Sequence, residues 1–298
     1  MLTLTAIVVD GVIYASWLFI VAAGLTLVYG VMRILNLAHG SFYAIGAFAA
    51  ASAVGWYFGA GHPPAGSYLV VVGTALLAGA LIGIVVERGL LRLVYGRDEV
   101  VMVLVTYAVL LVLEDVLKLV WGVESYAAFQ PYQLLGNLRF GPMSFANYDL
   151  ALVAVSAVLA FGLWWSLNRT RRGKLLLAVI HDREISAALG INVTRVFLVT
   201  FVIGAMLGAL AGGLTAPAIS VTAGLGVEVI VLAFAVVVTG GLGSVEGALV
   251  GALIVGLARA AAVHLLPEVE LFVIYGVMAL VLAVRPQGLF ARPAPRRI

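Results

Sequence analysis

No cysteine occurs among the 298 residues, so disulfides, thiolate metal sites and thiol nucleophiles are excluded. Charge is scarce as well: Asp, Glu, Lys and Arg make up 10% of the chain, against roughly a quarter in a soluble domain. So few charges cannot cover a folded chain with a solvated surface. Hydrolytic and phosphate-cradling patterns are missing too, with no H-E-x-x-H, G-x-S-x-G or G-x-x-x-x-G-K-[ST]. His39, His62, His181 and His264 fall in four separate loops or span ends, which argues against a shared metal site. The first basic residue is Arg33, well after the first apolar run, so no signal-peptide pattern is read at the start.

What is abundant is apolar. Hydrophobic residues make up 64% of the chain, and the mean hydropathy is +1.17. An integral membrane protein follows. Its net charge of +3 reports orientation in the bilayer and not nucleic-acid binding. The fold class expected is an all-α transmembrane, polytopic helix bundle of eight to nine spans in a single domain, 1–298. Nine are favoured, over residues 6–30, 41–58, 68–86, 100–120, 148–167, 196–216, 227–239, 247–263 and 271–284. The seventh is short, and its tilt, break or re-entry stays open. With the N-terminus outside, nine spans put fourteen of the seventeen Lys and Arg residues on the inner face. Only Lys118, Arg139 and Arg259 remain elsewhere, as basic loops resist translocation. Residues 121–147 then form a periplasmic loop and the C-terminus is cytoplasmic.

Small residues should set the packing. Gly204, Gly208 and Gly212 repeat every fourth position in the sixth span, and Gly79/Gly83 and Gly247/Gly251 repeat the spacing. An intramolecular seam and a subunit interface explain these equally well. A weak internal echo joins HGSFYAIGA near residue 39 to LGSVEGALVGA near residue 242.

One strongly charged stretch interrupts the apolar chain. Residues 169–195 hold six of the seventeen basic residues. Inside it Asp182 can cap a short helix whose Ile185, Ala188 and Leu189 share a face, with Gly190 as the stop. Either this helix is a docking surface at the cytoplasmic face, or the loop is merely solvated.

Polar residues at membrane depth default to a pathway or to a partner. They are Asn36, His39, Ser41, Glu114, Asp115, Glu228, Glu246 and Arg259. Glu114 and Lys118, four apart, are expected to form a local ion pair. Around Asn36, His39, Gly40 and Ser41, polar groups and a glycine gather where one span turns into the next. A broken helix lining a cavity or an interfacial turn would each look like this. Glu246, beside the glycines of residues 240–243, carries the same two readings. Asn36, His39, Gly40, Ser41, Glu228 and Glu246 are the candidate pathway residues.

The stretches GLTLVYGVMRILNLAHGSFYAIGAF, DREISAALGIN, GGLGSVEGALVGALIVG and RPQGLF together resemble the membrane permease of a branched-chain amino acid ABC importer. The resemblance implies a second, homologous permease subunit, two cytoplasmic ATPase subunits and a periplasmic substrate-binding protein as partners, in a bacterial inner membrane. It implies no cofactor in this chain, ATP and Mg being bound by the ATPases, and no enzymatic activity of its own. Permeases of this kind carry a Glu-Ala-Ala-x-x-x-Gly-like coupling helix. Glu184 and Gly190 keep that spacing here, while Ile185 and Ser186 stand in place of the alanines, and the closing Gly of the last motif is Ala291. The ATPase-coupling set is then Asp182, Arg183, Glu184, Ile185, Ala188, Leu189 and Gly190. Inward passage of a branched-chain, hydrophobic amino acid is the expected function. Family relatives that import urea, amides or other small molecules are the alternative, and an ion-coupled secondary transporter is the alternative from another class.

Overall fold

A computed structural model describes residues 2–290 except Pro142. Arg292, Arg296, Arg297 and Ala291 of the expected tail lie outside the described residues. In lipid only a helix satisfies its own backbone donors and acceptors within one segment, and apolar runs of this length accordingly fold as helices. In chain order these are α1 (Leu2–Met32), α2 (His39–Gly59) and α3 (Ser67–Val86). One π-helical turn, Glu87–Leu91, carries α3 into α4 (Arg92–Val94). Next come α5 (Glu99–Trp121) and the short α6 (Gln130–Leu134), followed by an antiparallel hairpin of β1 (Asn137–Phe140) and β2 (Met143–Ala146). The remaining helices are α7 (Asn147–Arg169), α8 (Arg171–His181), α9 (Arg183–Ala188), α10 (Val193–Thr215), α11 (Leu225–Gly240), α12 (Val245–Leu265) and α13 (Glu270–Val284).

Among the described residues, seven helices are long and apolar enough to cross a membrane: α1, α2, α3 with its extension, α5, α7, α10 and α12. Two shorter apolar helices, α11 and the Phe272–Val284 part of α13, fall where the other two spans were expected. Contacts between segments distant in sequence sort the bundle into two ends. At the basic end, Arg183 Nη2 donates to the Met32 carbonyl at 2.7 Å. There too the Tyr95 and Phe197 rings meet edge-on at 5.3 Å, and Gly30 lies against Gly243. At the opposite end Trp121 Nε1–H donates to Ser52 Oγ at 2.7 Å and Tyr148 OH donates to the Leu214 carbonyl at 2.7 Å. Residues 121–147, read as a loop, are instead built from α6 and the hairpin. Tyr68 OH to the Pro131 carbonyl (3.0 Å) and Tyr132 OH to Asp149 (2.8 Å) hold them on the bundle.

The glycine spacing of α10 resolves into an intramolecular seam. A Cβ at Gly212 would lie 1.9 Å from the Tyr43 carbonyl oxygen, and one at Gly46 would lie 2.0 Å from that of Ala209. Backbone touches backbone between α2 and α10, which only a missing side chain permits. The other face of α10 takes α3, where Gly79 sits against Met206 and Ala205. The motif RPQGLF also finds its reason here. The last carbonyls of a helix lack intrahelical donors, and Leu289 N–H and Phe290 N–H reach back to Thr239 and Gly240 at 3.1 and 2.9 Å. Gly288, at φ +82, makes that reversal at a point where a Cβ would meet Gly241 at 2.5 Å.

Candidate functional site: a docking helix and a mid-depth junction

The charged interruption folds as two helices. α7 ends where Thr170 Oγ1 accepts from Gly173 N–H at 3.0 Å, which starts α8. Asp182 then separates α8 from α9, and its Oδ1 accepts from Ile185 N–H at 2.9 Å as an N-cap should. Gly190 adopts φ +84 with its N–H on the Ala187 carbonyl at 3.0 Å. Cap and stop therefore stand where the residue pattern places them. The face matters more: Ile185 is 59% exposed and Leu189 77% exposed. Ala188 and Glu184 are exposed beside them, and Ser186 is buried behind. Arg183 departs from this group. Although much of it is exposed, its Nη2 turns back to the Met32 and Val31 carbonyls (2.7 and 3.3 Å), and its guanidinium lies 4.9 Å over the Phe197 ring. Burial pushes its pKa down from the ordinary value, and the neighbouring charge of Arg33 pushes the same way.

The segment around residues 36–41 is not at the surface. After Met32 the chain turns at Arg33, φ +57, and re-enters the bundle without helical structure until His39. His39 Nε2 bonds the Val21 carbonyl at 3.0 Å, and its ring also touches Gly208. Val21 stands eleven residues from the end of α1, about 16 Å along the axis. Gly208 stands fifteen residues from the start of α10, about 22 Å. In a hydrocarbon core of about 30 Å this is the middle of the bilayer. α2 therefore starts at mid-depth, whereas Ser244, which caps α12 on Gly247 N–H at 3.0 Å, follows Gly243, which packs on Gly30 at the basic end. The internal echo thus joins two helix starts at different depths.

α11 starts at mid-depth from the other side. Residues 217–224 descend irregularly, tied to the opposite end by the Tyr126–Val221 bridge. Gly226 then meets Gly40, so close that a Cβ on Gly40 would be 2.0 Å from the Gly226 oxygen. Two helix N-termini thus converge inside the bundle, each with its positive dipole end toward the other. α5 supplies the polar groups that stabilise this. Thr106 donates to the Leu35 carbonyl (3.0 Å) and accepts from Leu37 N–H (3.3 Å). The Leu110 carbonyl accepts from Ser41 Oγ at 3.4 Å, and Glu114 Oε2 accepts from Gly224 N–H at 3.1 Å. Glu114 therefore has no ion pair with Lys118, which donates to Asp115 at 3.4 Å. The helix turn sends Asp115 and Lys118 outward and Glu114 inward, where an unpaired backbone N–H offers a better partner than a solvated ammonium.

Asn36, His39 and Ser41 are fully buried. Both Asn36 amide atoms, His39 Nδ1 and Glu114 Oε1 have no partner among the described residues. The candidate pathway residues thus divide. His39, Gly40 and Ser41 form the start of α2, and Asn36 lies in the irregular segment that leads into it. Glu228 is exposed near the start of α11. Glu246 is exposed at the basic end and accepts from Ser244 Oγ at 3.4 Å. Close to Tyr14, Arg259 lies 3.9 Å over its ring and pairs with Glu270. Sequence reasoning passed over Thr106 and gave Glu114 to Lys118, yet Thr106, Leu110 and Glu114 recur every fourth residue on one face of α5, a legible signal. Among the described residues no three His, Asp or Glu side chains converge as metal ligands. An apolar groove of about 560 Å³ lies between α3, α7 and α10, lined by Leu76, Val158 and Leu207, away from the junction.

Helices that begin at mid-depth around irregular, protein-enclosed backbone define a polytopic membrane transporter. A family model described as branched-chain amino acid transport system / permease component matches residues 7–282, and the chain belongs to that family. It is 29% identical to the high-affinity branched-chain amino acid transport system permease protein BraD of Pseudomonas aeruginosa, over 97% of this chain and 96% of the relative. The corresponding LivH protein of Escherichia coli is 28% identical over the same shares. The ribose import permease protein RbsC of Escherichia coli is 29% identical over 80% of this chain and 71% of its own. Among solved structures, PsaBC from Streptococcus pneumoniae in complex with Fab aligns with a TM-score of 0.49 at 12% identity, covering 92% of this chain and 89% of that one. The chain is an ABC-type permease and a multi-pass membrane protein.

Proposed function

We propose that this chain is the membrane subunit through which an ATP-driven importer passes a branched-chain, hydrophobic amino acid into the cytoplasm. Two partner ATPases bind ATP and Mg and act through the helix at residues 182–190. A second, homologous permease completes the translocation path, a periplasmic binding protein delivers substrate to the end carrying α6 and the hairpin, and the C-terminus is cytoplasmic. The observation that carries this reading is the capped α9, whose Ile185 and Leu189 are left exposed at the basic end. An isolated apolar face on a short, tightly terminated helix is what a groove on a partner would cover. The names of the full-length relatives support the substrate class. A second reading, a sugar or another small neutral solute, is favoured by the ribose and fructose import permeases among the relatives.

The test uses the whole complex reconstituted in vesicles. Glu184→Lys places a new cation at the docking face, and Gly190→Val disfavours the left-handed stop at φ +84. Both variants should insert normally, lose uptake, and lose the rise in ATPase activity that liganded binding protein produces. Normal stimulation and uptake in both would refute the coupling role. Uptake of radiolabelled leucine that survives vanadate would point instead to an ion-coupled carrier, and competition by ribose but not by leucine would favour the second substrate reading.

A further inference from the structure

The end of α1 is an unusual place for a helix to stop. Its last carbonyls have no intrahelical donors, and the next residue, Arg33, is a non-glycine at φ +57. No glycine or proline forces the break. What stands there is the guanidinium of Arg183, delivered from 150 residues away by the first turn of α9. It donates to the Val31 and Met32 carbonyls and meets the negative end of the α1 dipole. No carboxylate pairs with it among the described residues. The same guanidinium lies over Phe197 of α10, Phe197 packs edge-on against Tyr95, and Tyr95 OH donates to the buried Glu87 at 2.9 Å. Arg183 therefore touches the end of α1 directly, and α10 and the π-helical turn beyond α3 through aromatic contacts. Immediately past the Arg33 break lies the irregular segment 34–38 that leads to His39 at mid-depth.

We propose that Arg183 is the positioning residue that passes displacement of α9 to the end of α1 and the mid-bilayer start of α2, rather than a contact to the ATPase. The proposal rests on the coupling role argued for residues 182–190. The geometry separates the two jobs along one short helix. Ile185 and Leu189 present an outer face, and Arg183 holds the inner one. A guanidinium suits the task because its flat fork can serve two carbonyls while stacking on a ring. An ammonium is a point donor and does neither as well.

The experiment compares Arg183→Met, Arg183→Lys and Phe197→Leu in the complete complex with its ATPases and binding protein. In Arg183→Met the ATPases should still co-purify with the permease. The stimulation of ATP hydrolysis by liganded binding protein should fall about tenfold, within the span of measured couplings between linked sites, and leucine uptake should fall with it. Arg183→Lys should recover part of both, because it keeps the charge at the end of α1. Phe197→Leu should lower stimulation in the same direction while sparing the carbonyl contacts, and it remains informative if Arg183→Met fails to insert. Stimulation and uptake within about twofold of the parent in Arg183→Met and Phe197→Leu would overturn the proposal. So would loss of ATPase co-purification in Arg183→Met, which would make Arg183 a docking contact. If Glu184→Lys and Gly190→Val also leave uptake intact, the coupling reading itself has failed. If those two abolish uptake while Arg183→Met is silent, only the role of Arg183 is refuted.

Discussion

The α2–α10 seam yields a prediction with opposite signs at two glycines. At Gly212 a new Cβ would stand 1.9 Å from the Tyr43 carbonyl oxygen, where ordinary contact needs at least 3.4 Å. Gly212→Ala must therefore push the two helices apart by about 1.5 Å, the difference between those distances. Neither side can rotate away, because both partners are backbone. Overpacking of this kind costs about 1–3 kcal/mol, and the rigid contact places Gly212 at the upper end. Alanine regains about 1 kcal/mol of helix propensity over glycine, which leaves a net loss of about 2 kcal/mol. Gly73, in α3, meets nothing within 4 Å. Gly73→Ala keeps the propensity gain without the clash and should stabilise by up to about 1 kcal/mol. Thermal unfolding of the purified chain in detergent, followed by near-ultraviolet circular dichroism, should place the two variants on opposite sides of the parent. Gly46→Ala should follow Gly212→Ala, since its Cβ would meet the Ala209 oxygen at 2.0 Å. A Gly212→Ala protein as stable as the parent would refute a direct backbone seam, as would equal loss at Gly73.

Two further expectations follow from the same geometry. Glu114→Ala removes the acceptor of the Gly224 N–H and should cost about 0.5–1.5 kcal/mol, whereas Glu114→Gln keeps an acceptor and should lose less. Denaturant titration of both would show it, and equal losses would mean that the hydrogen bond is not what holds the start of α11. Because the chain has no native cysteine, single cysteines report sidedness cleanly. An impermeant maleimide should label Glu124→Cys from the periplasmic side and Arg172→Cys only in inverted vesicles, and labelling of both from one side would sink the nine-crossing arrangement.

Hydropathy by itself determined that this is a helical membrane bundle and where its apolar helices lie among the described residues, and charge placement set the expected sidedness of the loops. The reason is that lipid leaves the backbone almost no alternative to helix, and basic residues are counted at span ends regardless of packing. The short helix at residues 183–188 was equally legible, since cap, exposed face and stop are set by residues within one turn of each other. Tertiary structure decided whatever depended on a partner distant in sequence. Asn36 and His39, read beside Arg33 as part of a span junction, sit at mid-depth because the chain re-enters the bundle and α5 offers Thr106 to its backbone. Glu114, paired on paper with Lys118, turns inward because an unsatisfied N–H of Gly224 waits there. Arg183, grouped by its position with the docking helix, also meets the Met32 carbonyl because the fold brings the broken end of α1 within its reach. A local pattern specifies which way a helix can face, but only packing specifies which buried donor or acceptor it will meet.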